Sequence, residues 1–120
     1  MEKTMAALHQ QWLQTNSSQE KDDLVAWALG TAQPDQPPPP YSTDLIYAQQ
    51  AMDRAWILME ETAPVRISCN LSNAGPQGHR QCYVEWWPAD GSHVLTPCFT
   101  TEAESRAFAA FVFAKLLGKV

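Results

Sequence analysis

The chain has 120 residues, 45% hydrophobic and 18% charged, with a net charge of -5, which is the size and composition of one folded domain and excludes a wholly disordered chain. Its eight Lys and Arg are scattered among thirteen Asp and Glu, so no face gathers the cations that would displace counterions from duplex nucleic acid. No apolar run approaches the roughly 20 residues of a membrane-spanning helix, and the N-terminal "MEKTMAALHQQWLQTNSSQEKDD" has no core of signal-peptide length; a protein that stays where it is made is expected.

Residues 1–16 place Met5, Leu8 and Trp12 at helical spacing without a strong cap, and read as an N-terminal extension or weak helix. A single domain over residues 17–120 is expected to follow. In "NSSQEKDDLVAWALG", Ser17 or Ser18 can cap a helix, acids occupy its early turns, and Leu24, Val25, Trp27 and Ala28 are its apolar positions. Gly30 supplies the left-handed stop. Residues 31–41 form a polyproline linker, because consecutive prolines hold φ near -65° and press each preceding residue into extended geometry. Beyond it, Leu45, Ala48, Met52, Ala55 and Met59, widened by Ala51 and Trp56, repeat at helical intervals and predict a helix over roughly 43–60. Ser42 or Thr43 is its expected cap.

After Pro64 the period changes to two. Val65, Ile67, Cys69 and Leu71 alternate with polar residues as in a half-buried strand. "SNAGPQGHR" connects to "QCYVEWW", which places Cys82, Val84 and Trp86 on one face and Tyr83, Glu85 and Trp87 on the other. "PADG" is a turn with glycine where positive φ is needed. "SHVLTPCFT" returns as a strand that Pro97 restricts to an edge or a bulge. Thr101 and Glu104 then have capping-box spacing, Ala103 to Leu117 is apolar on most sides, and Gly118 closes the run. A helix of that kind must be well covered. The order predicts an α+β domain, a small antiparallel three-stranded sheet packed with helices in a layered, α/β/α-like sandwich.

"DDLVAWALG", then "PPPYSTDLIYAQQAMDRAW", a strand, a hairpin and a terminal Ala-rich helix together resemble the phage ABA sandwich domain family, small proteins encoded by phages and prophages. The match runs from about Asp22 to Leu117, and its most specific part is Pro39, Pro40, Tyr41, Ser42, Thr43 and Asp44 with the helix that carries Trp56. The resemblance implies a phage origin and this fold rather than a mechanism. A small acidic phage protein without a catalytic signature is in turn expected to be an accessory factor that blocks a host defence, in the host bacterial cytoplasm.

The candidate ligand-binding residues are Tyr41, Ser42, Thr43, Arg66, Arg80, Trp86 and Trp87. A helix start exposes backbone N–H groups and a positive dipole end that suit a phosphate, here at Ser42 and Thr43, unless capping already uses them. Tyr41, held by the proline before it, and whichever of Trp86 and Trp87 is exposed could stack on a base. Arg66 and Arg80 could each hold a phosphate, although antiparallel pairing sets them at opposite ends of the sheet. Cys69, Cys82 and Cys98, one per strand, lack the close pair of a zinc site and read as reduced, buried thiols suited to a reducing compartment. Nothing activates Cys82 with His93 as a nucleophile, and Asp22-Asp23 and Glu60-Glu61 lack the setting of a general acid and base.

No cofactor, metal or catalytic motif is therefore expected, and the chain reads as a non-enzyme. The leading expectation is a counter-defence protein that binds and sequesters a nucleotide immune messenger without cleaving it. The alternatives are a protein–protein inhibitor of a host defence complex, using the N-terminal segment and the proline linker, and a virion or assembly component. A homo-oligomer is expected in each case.

Overall fold

Thr4 opens the first helix, α1 (Met5–Leu13), its hydroxyl accepting the N–H of Ala7. Residues 4–59, 63–72 and 80–117 are described in the computed structural model of the chain. Ser17 caps α2 (Ser18–Leu29), which ends at Gly30 with φ +74°. The stripe predicted over residues 43–60 forms α3 (Leu45–Met59). Strands β1 (Arg66–Ser72), β2 (Gln81–Trp87) and β3 (Val94–Leu95) follow, then α4 (Glu102–Val112), which widens into a π-type turn over Phe113–Leu117. Thr101 caps α4 as predicted. Gly118, Glu60, Glu61 and His79 lie outside the described residues.

The sheet is antiparallel in the order β1-β2-β3, with Arg66 opposite Trp87 and Ser72 opposite Gln81. Between β2 and the returning chain, Leu95 faces Glu85 but Phe99 faces Cys82, so three steps along β2 are met by four on the other side. The extra residue is a bulge at Pro97 and Cys98, on an edge strand. Both consequences expected of a proline without an N–H are present. The turn before β3 has Gly91 at φ +87° and is closed by the Gly91 N–H donating to the Pro88 carbonyl.

The fold class is the expected α+β, with a different stacking of its layers. Cys82, Val84 and Trp86 face α4, and the outer helices pack against α4 from its other side. Residues Ala107 through Phe113 have no exposed surface, because α4 lies between the sheet and three helices. The order is thus sheet, α4, outer helices, and among the described residues one face of the sheet is left open. That sandwiched position is why α4 is apolar on every side from Ala107 onward, while its first turns carry Glu102, Glu104 and Arg106.

The core also reaches into the segment that the sequence set apart. Leu8 and Trp12 of α1 are buried, and the Trp12 indole meets Phe108 edge-on at 5.3 Å. Its Nε1–H donates to Glu104 Oε2 at 3.0 Å, and Lys21 pairs with the same oxygen at 2.7 Å. Glu104 thus takes its N-terminal role in α4 through tertiary partners. On α3, Ala48, Ala51, Met52, Ala55 and Met59 are buried as the stripe predicts, but Leu45 and Trp56 are exposed.

Candidate functional site: a proline-walled groove and an open sheet face

The candidate residues fall in four places, and the first is the junction of the proline linker with α3. Prolines carry the chain to Pro40, whose carbonyl accepts the N–H of Asp44 at 2.9 Å and of Thr43 at 3.3 Å. Tyr41 donates its N–H to the Pro39 carbonyl. Ser42, buried, donates its N–H to Asp22 Oδ1 at 2.7 Å and its hydroxyl to the Ser18 carbonyl. The cap of α3 is Asp44, not Ser42 or Thr43: Asp44 Oδ1 accepts from the Ile46 N–H and its carbonyl from Ala48. A carboxylate at this position satisfies a donor and complements the dipole together. The backbone donors of residues 41–44 are all engaged, and Thr43 stands exposed on the turn.

Tyr41 is buried as well, its hydroxyl 3.4 Å from Thr31 Oγ1. It forms part of a groove of about 240 Å³ between the end of α2 and the proline linker, with Asp23, Trp27, Gln33, Gln36 and Pro37 among the lining residues. The lining contains an acid and no base. On its rim, Trp27 is 73% exposed. Trp27 shares its helix with Val25, Ala28 and Leu29, whose burial uses the faces turned toward α4 and α3 and leaves position 27 outside.

The open sheet face brings two more candidates together. Arg66 and Trp87 are directly opposed, with the guanidinium 4.7 Å from the indole centroid. Extending the β2–β3 register places His93 on the other side, and its ring lies parallel to the indole at 4.7 Å. That spacing is about the distance between neighbouring strands, so the three groups stand as rungs across the sheet. The next row holds Glu85, whose Oε2 meets His93 Nε2 at 2.7 Å and whose Oε1 accepts from Asn70 at 3.1 Å. Trp86, on the opposite face, is 3% exposed and packs edge-on against Phe113; only Trp87 is available at this surface. Arg80 is exposed beside Gln81, at the far end of the sheet from Arg66.

All three cysteines are free thiols, with Cys82 buried and Cys69 and Cys98 exposed, so the expectation of three buried thiols holds for Cys82 alone. The exposure of the others follows from β1 and the bulge lying at the sheet margins. Burial pushes the Cys82 thiol up, and Cys82 lies on the helix-covered face while His93 is held on the other. The two are not a nucleophile and base. Among the described residues, no three His, Cys, Asp or Glu side chains are grouped to hold a metal ion, and no helix is long and apolar enough to cross a membrane.

Trp27, Asp22, Glu85, Asn70 and His93 were absent from the candidates drawn from sequence. His93 had a usable signal, since counting back from a hairpin at Gly91 sets it across from Trp87. For Asp22 there was none, because its partner is 20 residues away. The structure thus defines an α+β domain whose sheet is covered on one face by a buried helix and whose exposed features are a proline-walled groove and a polar-aromatic sheet face. Comparison with protein-family models, with curated proteins and with solved structures found no match to this chain.

Proposed function

We propose that this chain is a non-catalytic binding protein that acts by docking on a partner protein, with the groove between α2 and the proline linker taking a basic segment of that partner. The observation that carries the reading is Trp27, 73% exposed on the rim of a groove that offers Asp23 and no cation. A large indole at a surface is the residue type that most often anchors a protein interface. A Lys or Arg laid over it gains a cation–π contact while pairing with Asp23, and the chain's charge of -5 draws such a segment in. The resemblance to phage-encoded proteins supports a host-defence component as that partner, met in the bacterial cytoplasm.

A second reading, sequestration of a nucleotide messenger, is favoured by the Arg66–Trp87–His93 row, where a cation and aromatic rings are displayed together. It ranks second because both faces of the Trp87 indole are already occupied, and because Tyr41, Ser42 and Arg80 stand apart from that row. One calorimetric series separates the two. The full chain is titrated with Arg-rich and acidic peptides of equal length, and with cyclic and ADP-ribose-type nucleotides. Heat with the basic peptides alone, lost in Trp27→Ala, supports protein docking. Heat with a nucleotide, lost in Arg66→Ala and kept in Trp27→Ala, overturns it in favour of sequestration.

A further inference from the structure

β1 is seven residues long, and among the described residues it has a strand partner on one side only. Its outer edge carries a row of backbone donors and acceptors that a further strand can use. Natural sheets guard such edges with prolines, lysines, bulges or very short strands. The other margin of this sheet is guarded in that way, by a two-residue β3 followed by Pro97 in a bulge. Within Arg66–Ser72, "RISCNLS", no such device is found.

We propose that two copies of this chain pair through this edge, antiparallel and centred on Cys69, to form one six-stranded sheet. A two-fold axis perpendicular to the sheet keeps the helices of both copies on the same side, so directly opposed residues must come from the same face. Centring on the middle residue of β1 pairs all seven positions. Ile67 then meets Leu71 of the second copy, Cys69 meets Cys69, Ser68 meets Asn70, and Arg66 meets Ser72. Apolar faces apolar on the helix side, polar faces polar on the open side, and the one charge in the strand meets a neutral residue. A cation at a self-pairing edge repels its own copy only when it falls at the centre, and Arg66 lies at the end.

A groove of about 490 Å³ opens on the helix side of this same edge, between α3 and β1, with Met52, Trp56, Ile67 and Cys69 in its lining. Leu71 projects on the same side from the other end of β1 and is 49% exposed. The two-fold sets Leu71 of the second copy opposite Ile67, at the mouth of the groove. Each copy therefore gives one leucine and receives one, which is the self-complementary arrangement that a two-fold interface requires. This surface is separate from the Trp27 groove, and the proposal stands whichever ligand that groove takes.

Sedimentation of the full chain tests the pairing, with a species of twice 13.4 kDa expected. Leu71→Lys, at an exposed position, is expected to raise the dimer dissociation constant at least about ten-fold, because it places an unpaired charge inside the interface. In a Cys98→Ser background, opposed Cys69 residues have Cα atoms about 4.5–5.5 Å apart, within disulfide range. Diamide takes two protons and two electrons from the two thiols and is expected to give a covalent dimer that Cys69→Ser abolishes. Hydrogen exchange on the unaltered chain gives a reading that needs no variant: amide protection in β1 rises with protein concentration. A monomer in the concentrated sample overturns the proposal. So does a dimer indifferent to Leu71→Lys, without a Cys69 crosslink or added protection of β1.

Discussion

Asp22 Oδ1 accepts the backbone N–H of Ser42 at 2.7 Å, and by this bond α2 holds the turn that starts α3. Asp22 is 6% exposed, and burial pushes its carboxyl above the ordinary 3.8, against the pull of its bonds from Ser42. A carboxyl whose folded pKa is raised contributes stability that is full below the unfolded value and lost as pH rises through the folded one. Asp22→Asn keeps an acceptor for Ser42 and removes the buried charge. Urea unfolding of both proteins from pH 3.8 upward is expected to show the variant gaining on the wild type as pH rises. A difference that runs the other way contradicts the assignment. Asp22→Ala, which strands the Ser42 N–H, is expected to lose about 1–3 kcal/mol at neutral pH.

Glu104 serves the Trp12 indole and Lys21 with one oxygen, and its own N–H is capped by Thr101. Glu104→Ala leaves a buried indole donor without a partner and is expected to cost about 2 kcal/mol. Glu104→Gln retains an acceptor and loses only the part-exposed ion pair, so its cost is expected below about 1 kcal/mol. Equal costs in denaturant melts would mean that the ion pair, and not the indole bond, is what matters at this joint.

Trp86 and Trp87 are chain neighbours on opposite faces of β2. Trp86→Ala opens a cavity against Phe113 and is expected to cost about 3–5 kcal/mol. Trp87→Ala removes a surface row with Arg66 and His93 and is expected to cost about 1 kcal/mol. Thermal unfolding of the pair checks which indole belongs to the core.

Trp27 gives the converse case. Its substitution by alanine is expected to leave stability within about 0.5 kcal/mol, as for exposed positions without special partners. Peptide binding in the Trp27 groove is expected to fall to background in the same variant. Loss of fold on this substitution would remove the basis for treating the indole as a docking residue.

Local signals located most elements. Alternation in "QCYVEWW" gave the bounds of β2, Thr101 the start of α4, and Gly30 and Gly91 are positive-φ positions as expected. The errors share one cause, which is that amphipathic spacing names the apolar residues of an element without saying which neighbour covers them. Trp27 and Trp56 fit helical stripes and ended outside, since small residues already line the helix contacts there. Trp12 sat in a weak pattern and ended wholly buried, because α4 supplies Phe108 and Glu104 from the far end of the chain. The site was harder still. Arg66 and Trp87 come together through strand register, a non-local quantity, while Ser42 and Asp22 meet only after α2 and α3 have packed.

The bulge at Pro97 bears on assembly as much as on the hairpin. With two open margins a small sheet could keep adding copies end to end, as growing fibrils do. Here one margin is closed by two-residue pairing, a missing amide hydrogen and a kinked backbone, so the proposed pairing through β1 would end after a single event. One proline would thus limit the stoichiometry of that assembly, setting a closed pair apart from an open-ended ribbon.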